Sequence, residues 1–559
     1  MSDSENISYA PTLTEKGLVE KTSDNENGSN SQEKIETGED LDSNDIDWSQ
    51  YTPKRLPWRL NNTDVAALIA QDYRGSGTED DPYRVSWLKE DPEDPKQYTP
   101  LYRWSITLLA ASMTLAVSLS SSAYSGAIEH FIIDFGCSEE VAILGLSLMV
   151  LGYAMGPLLW GPLSELYGRR YPFIGSFAIY TLWMAVTCAA KNIGTVVVFR
   201  FLAGVFGSSS LVIPGGEIAD MFPAEIRGLG IAFFCAAPFL GPSLGPLIGG
   251  FLGDAGGWKW VIGLLAIYAA ILTALGAVLL PETYPPVLLR RRAAMLTKIT
   301  GKRYLSVIDA DHPQSVRELV QTALIRPWVL LIFEPIVLIT TIYMSCIYGT
   351  LYLCFAAFPI VFQEGRKWNA GVGGLAFMGI FVGLMIGVTV AAFDNGRYVR
   401  LLRKNNGFPP PECRLPPAIF GGGAVVIGLV WLAAADSPSI HWIVPILATV
   451  PFAFGLVLVF LCLGNYLVDS YVVYAASVFA GNGVNIGIHW GVAVPAFIAA
   501  GCFPFPILFY IYGSKIRKSC KYAAEAARIL HQMSSGGKVE QPSENEEVKE
   551  EKTQDAEAV

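Results

Sequence analysis

Apolar runs of membrane length alternate along this chain with short polar breaks. A run of about 18 or more apolar residues with few charges is long enough to cross a bilayer, and only a helix or a closed barrel satisfies its own backbone there. The pattern predicts helical spans over 104–126, 141–159, 171–190, 193–213, 229–252 and 258–280. A hydrophilic interval, 281–327, follows. Further spans are predicted within 335–362 and over 372–393, 419–434 and 442–463, with a last one ending near Tyr512.

The tightest break is Gly161-Pro162-Leu163-Ser164-Glu165-Leu166-Tyr167-Gly168-Arg169-Arg170. A cluster this charged is expected as a short turn at the membrane face. Short loops rich in Lys and Arg stay in the cytoplasm, so the paired arginines orient the flanking helices. The interval 281–327, with Arg290, Arg291 and Arg292, and the tail with Lys515, Arg517, Lys518 and Lys521 then fall on the same side. Both termini are expected in the cytoplasm, where the sequons at Asn6, Asn27 and Asn61 would be silent. The expected organisation is a largely disordered acidic tail over 1–100, a six-helix bundle over 101–280 and a basic central loop over 281–327. A second bundle over 328–513 and a cytoplasmic tail over 514–559 complete it.

Composition agrees with a polytopic membrane protein. The 559 residues are 52% hydrophobic and only 16% charged, against about 25% charged in soluble domains. The net charge of −10 belongs mostly to the tails and says little about cargo. Nine cysteines are scattered, several inside apolar runs, without a CxxC pair or a His/Cys cluster. Neither a metal site nor a disulfide framework is expected. The first apolar run begins near Trp104, so no signal peptide is expected. With no nucleophile, metal or nucleotide signature, the sequence does not read as an enzyme, and no cofactor or nucleic acid is implied.

Four groups of residues carry candidate chemistry. Arg200 lies inside a span with Gly204 and Gly207 on its helical face; it either faces a cavity or snorkels to the nearby interface. Glu217 is either a proton carrier or an interfacial acid. Gly241, Gly245 and Gly249, beside Pro242, Pro246 and Gly250, form a flat, bendable stripe suited to close packing. Tyr124, Tyr343, Tyr348, Tyr352 and Phe355 could wall a lipophilic substrate site, although aromatics at such spacing also serve as packing.

Several motifs resemble one family. The decapeptide is similar to the loop between the second and third helices of major facilitator transporters. Leu240-Gly241-Pro242-Ser243-Leu244-Gly245-Pro246 matches that superfamily's antiporter motif. Gly75-Ser76-Gly77-Thr78-Glu79-Asp80-Asp81-Pro82-Tyr83, Pro281-Glu282-Thr283-Tyr284 and Tyr466–Val478 resemble segments of the fungal twelve-span drug:proton antiporters. The resemblance implies an all-α fold of two six-helix bundles and proton-coupled efflux of a lipophilic or cationic small molecule: a drug, toxin, polyamine or secondary metabolite. It implies a latch in which Glu165 and Arg169, supported by Gly161, Gly168 and Arg170, meet Asp220, with Asp469 close to Glu165. It links Arg200 to proton coupling. It implies a monomer in the plasma membrane, or else the vacuolar membrane. Ala356 stands where the family often has a glutamate. The stretch after Val478 is about twenty residues shorter than the family pattern, roughly one span, and is read as a shortened helix 11. A transport-inactive sensor of the same fold is the alternative.

Overall fold

The computed structural model describes residues 63–311, 325, 328–405, 409–435, 437, 439–470, 501–520 and 523. The shortened helix 11, with Asn482, Asn485 and His489, lies outside the described residues, as does the first part of the acidic tail.

The order of elements follows the apolar pattern. A short helix α1 (Val65–Ile69) and strand β1 (Tyr83–Val85) precede α2 (Pro100–Ser122), which continues through one tight turn into α3 (Ile128–Phe135). Then come α4 (Glu139–Met155), α5 (Pro157–Tyr167), α6 (Arg170–Cys188), α7 (Ile193–Gly207), α8 (Ser209–Met221), α9 (Ala224–Gly256) and α10 (Trp258–Leu279). The central interval forms α11 (Pro285–Thr300), β2 (Tyr304–Ser306) and α12 (Val307–Asp311). The second half contains α13 (Pro335–Phe358), α14 (Ala370–Gly374), α15 (Met378–Lys404), α16 (Pro416–Ala434), α17 (Ile443–Ser470) and α18 (Pro504–Ser519). Among the described residues ten helical stretches are long and apolar enough to cross a membrane.

Small residues set the packing, because lipid tails remove most of the hydrophobic drive between helices. On α4, Gly152 meets the backbone of Phe201 and Val205, and Gly156 meets Val205 and Ser208. In the second half, Gly379, Gly383 and Gly387 of α15 lie against the carbonyls of Ile446, Val450 and Phe454 on α17. Gly421 of α16 and Gly455 of α17 approach each other's carbonyls.

Two expectations change. The decapeptide is mostly helix: α5 runs on to Tyr167, and the chain reverses only at Gly168 (φ +92°) and Arg169. A helix that has left the bilayer continues in water at no backbone cost, so charge marks the membrane boundary rather than the helix end. α15 likewise continues to Lys404 and α17 to Ser470, past their apolar portions.

The second change concerns residues 63–99, which are folded rather than disordered. Strand β1 pairs in parallel with β2, Tyr83 opposite Tyr304 and Val85 opposite Ser306. Gly75 and Gly77 take positive φ to make the turn ahead of β1, and Arg303 donates its amide to the Gly77 carbonyl at 3.0 Å. Leu68, Tyr73 and Val85 share a small core with Leu289, Ala293, Leu296 and Tyr304. The amphipathic face of α11 thus finds its cover in a segment some two hundred residues earlier. We refer to this unit as the clasp.

Candidate functional site

The turn after α5 is built around Arg169. Its Nε lies 3.3 Å from Asp220 Oδ2 at the end of α8. Its Nη1 donates to Ser164 Oγ at 2.8 Å, and the guanidinium stacks 4.6 Å from the Tyr284 ring. A carboxylate that sequence reasoning did not place here completes the cluster. Glu282 accepts from the amides of Arg169 at 2.8 Å, Arg170 at 3.4 Å, and Thr283 and Tyr284 at 3.1 Å each. A Cβ at Gly168 would collide with that carboxylate. Arg170 is buried and donates to the Ala277 carbonyl at 2.8 Å, pinning α6 to the end of α10. The signal for Glu282 was its place in Pro281-Glu282-Thr283-Tyr284, immediately after a span.

Not every expected member joins. Glu165 makes no ion pair among the described residues, and Asp469 is engaged elsewhere, by Arg414 at 2.8 Å and the Tyr398 hydroxyl at 3.0 Å. Gly161 faces open space. Glu217 is buried beside the cluster, and neither of its carboxyl oxygens has a hydrogen-bond partner among the described residues.

Arg200 does not snorkel. It is fully buried, and its Nε donates to the Gly145 carbonyl at 2.7 Å. Its Nη2 donates to the carbonyls of Ser120 at 3.2 Å and Ser121 at 3.3 Å, while the Tyr124 ring lies 4.1 Å beneath. Carbonyl dipoles and an aromatic face therefore hold this charge, joining α2, α4 and α7. Tyr124 is thereby committed to the interior of the first bundle, its hydroxyl bonded to the Ala142 carbonyl at 2.8 Å. Tyr343 is buried within the second, its hydroxyl against Gly422 of α16. Neither one lines a site between the halves.

The seam between the halves runs along α9. On one side Gly241, Gly245 and Gly249 meet Ser118, Ser122 and Ala123 of the first span so closely that no side chain fits. On the other, Gly250 meets Ala370 and Gly371, and the Pro246 carbonyl meets Gly374. Pro242 and Pro246 interrupt the α9 hydrogen-bond ladder between these contacts. At the opposite end of α9, Gly228 lies against Asn395 of α15. Midway, Tyr348, Tyr352 and Phe355 of α13 meet groups from both halves. Phe239 lies 5.9 Å from Tyr348 and 5.2 Å from Phe460 between ring centroids. Tyr352 lies 5.2 Å from both Tyr348 and Phe355, and its hydroxyl shares a 3.1 Å hydrogen bond with Ser121. Phe239, Phe460 and Ser121 were not singled out from sequence, since one aromatic or serine in an apolar run has no distinguishing pattern.

The α11 part of the clasp follows α10 in the chain, and its Arg291 guanidinium lies 5.4 Å from the Tyr171 ring of α6. Arg292 is its centre, donating to Asp91 Oδ2 at 2.6 Å, Glu93 Oε2 at 2.7 Å and Thr63 Oγ1 at 3.1 Å. Burial alone would raise the Asp91 carboxyl; hydrogen bonds from Arg292, Thr63 and the Leu88 amide outweigh it and hold Asp91 below its ordinary value.

A helical membrane protein of two halves, meeting along a glycine- and proline-rich helix with charge clusters at one end, has the form of a secondary transporter. The sequence profile of the Major Facilitator Superfamily matches residues 110–494. The chain is 48% identical over 515 residues to the MFS-type efflux pump MFS2 of Trichophyton rubrum, covering 88% of this chain and 87% of that protein. It is 47% identical over 524 residues to the major facilitator superfamily multidrug transporter mdrA of Aspergillus fumigatus, covering 90% and 86%. The major facilitator-type transporter sorT of Penicillium rubens is 44% identical over 484 residues, covering 82% and 92%. Among solved structures, the proton:xylose symporter XylE bound to 6-bromo-6-deoxy-D-glucose matches with a TM-score of 0.50 at 18% identity, covering 77% of this chain and 93% of that one, a likeness of fold alone. The chain belongs to the Major Facilitator Superfamily and groups with its fungal efflux-type transporters. It is a multi-pass membrane transporter, not an enzyme.

Proposed function

We propose that this protein exports a lipophilic small molecule by proton-driven antiport, with the two halves rocking about the seam along α9. The observation that carries the reading is the double role of that helix. Its glycines lock it to the first span, while its flanks meet α14 and α15 of the other half at both ends. The named relatives are efflux pumps and a multidrug transporter, which supports export over uptake.

In this reading the Arg169–Asp220 pair is the latch on the cytoplasmic face, with Glu282 tying it to the central loop. Both members belong to the first half, so the pair sets the shape of that half's cytoplasmic end rather than bridging the two halves. Glu217, buried beside the latch with no hydrogen-bond partner among the described residues, takes up and releases the proton, and Arg200 supplies the fixed positive charge of the first bundle. Both termini lie in the cytoplasm, the protein acts as a monomer, and its membrane is the plasma membrane.

Reconstitution into proteoliposomes tests this. With an imposed pH gradient, the wild-type protein is expected to drive cargo movement that collapses with a protonophore. Glu217→Gln is expected to abolish the response to the gradient while leaving downhill exchange measurable. Full gradient-driven transport by Glu217→Gln would remove Glu217 from the coupling.

A further inference from the structure

We infer that the aromatic site between the halves selects aromatic cargo that is uncharged or acidic and rejects permanent cations; the inference rests on the export reading above. The site combines Phe239 from α9, Tyr348, Tyr352 and Phe355 from α13, and Phe460 from α17, with ring centroids 5.2 to 5.9 Å apart between successive neighbours. Phe355 also lines a cavity with Gly126, Pro246, Phe358, Gln363 and Phe377, so the aromatic surface continues along the seam. At these spacings the rings pack edge and face on one another, so an aromatic guest is admitted by replacing such contacts as the halves part.

Charge decides the class. Residues 104–128, 229–253, 335–362 and 443–467, the spans that supply this site, contain no Asp, Glu, Lys or Arg. The undescribed residues 471–500 contain no Asp or Glu either. The charged side chain closest to the site by way of hydrogen bonds is Arg200. Its guanidinium donates to the Ser121 carbonyl at 3.3 Å, and the Ser121 hydroxyl shares a hydrogen bond with Tyr352. Among the described residues the hydrogen-bond partners of Arg200 are all carbonyls, and no carboxylate cancels its charge.

A cation entering here would lose its water, meet no anion, and stand near an uncompensated guanidinium. Aromatic faces by themselves attract such a cation; the missing carboxylate and the field of the buried guanidinium oppose it, and in a medium of low dielectric that repulsion decides. An uncharged ring suffers no such loss. An oxygen on that ring can accept from the Tyr352 hydroxyl in place of Ser121, and an acidic oxygen gains from the Arg200 field in a medium of low dielectric.

The test uses the full-length protein and three probes of similar size: 2-naphthol, 2-naphthoate and N-methylquinolinium. Binding is measured in detergent by quenching of intrinsic fluorescence, and export in proteoliposomes. The two oxygen-bearing probes are expected to bind at least tenfold more tightly than the cation. Tyr352→Phe is expected to weaken binding of 2-naphthol several-fold while leaving a ring without oxygen, naphthalene, unchanged. Phe239→Glu is expected to invert the preference toward the cation. Equal or tighter binding of the cation by the wild-type protein would overturn the inference, whatever the export assay gives. Selective binding without any export would leave the selectivity standing and bring down the export reading instead.

Discussion

At the ends of the two halves that carry the basic loops, the chain builds two charge clusters from similar parts, and they are closed differently. In the second half the groups pair off side chain to side chain. Arg397 holds Asp394 at 2.6 Å and the Cys413 carbonyl at 2.9 Å. Arg414 holds Asp469 at 2.8 Å with its guanidinium 3.2 Å from the Tyr398 ring centroid, and Arg517 holds Glu412 at 2.7 Å. In the first half four carboxyl groups, Glu165, Glu217, Asp220 and Glu282, gather near the turn. Of these, only Asp220 has a side-chain ion pair among the described residues, at 3.3 Å, and Glu282 is held through backbone amides. The second cluster is a brace. The first is an arrangement with spare acids whose closure depends on a residue from the central interval, and so on the clasp that positions it. Alternating access needs one end whose contacts exchange easily and others that keep each bundle rigid.

The largest effect is expected at the clasp. Arg292→Met leaves Asp91 buried without its counter-charge, a loss of about 3–5 kcal/mol locally. Hydrogen exchange is expected to rise across residues 63–98 and 285–306 and at the Gly168 turn, with the second-half cluster unchanged. Equal exchange at both clusters would mean that the clasp does not support the first one in particular.

Next is the latch itself. Arg169→Ala is expected to lower transport by about tenfold or more, a barrier change of ~1.4 kcal/mol, with membrane expression retained. Arg397→Ala, which removes a pair within one helix and its contact with Cys413, is expected to cost less than about threefold. Equal losses would erase the distinction between poised end and brace.

A pH series sharpens the same contrast. Asp91 has a lowered folded value, so its contribution is complete above the ordinary carboxylate value of about 3.9 and is lost as pH falls through the folded one. Limited proteolysis of residues 63–98 is expected to accelerate on acidification in that window. Slower cleavage there would reverse the sign.

The smallest effects separate the two glycines of the decapeptide. Gly168→Ala, at positive φ and against Glu282, is expected to lower stability by about 1–2 kcal/mol. Gly161→Ala, inside α5 with open space around it, is expected to be neutral or to gain up to ~1 kcal/mol of helix propensity. Thermal unfolding of both variants in detergent checks the pair.

Much of the fold was legible because membrane spans are written locally. An apolar run announces a helix by length alone, and four-residue glycine spacing announces a close crossing. The Gly241, Gly245 and Gly249 stripe is visible in the sequence, but which helix it meets is not. The aromatic residues of α13 divided in a way spacing did not reveal. Tyr343 turned into its own bundle, while Tyr348, Tyr352 and Phe355 turned to the seam. Arg200 could be placed in a span but not assigned its partners, because carbonyls leave no mark on a sequence.

By itself the sequence determined the spans, their division into two halves and the positions of the charge clusters, since hydrophobicity and charge act over a few residues. The tertiary structure alone decided that β1 pairs with β2, that Asp91 meets Arg292, and that Glu282 rather than Glu165 closes the Gly168 turn. These contacts join residues more than one hundred positions apart in sequence. Their energies depend on burial and on hydrogen-bond geometry, and neither exists until the chain has folded.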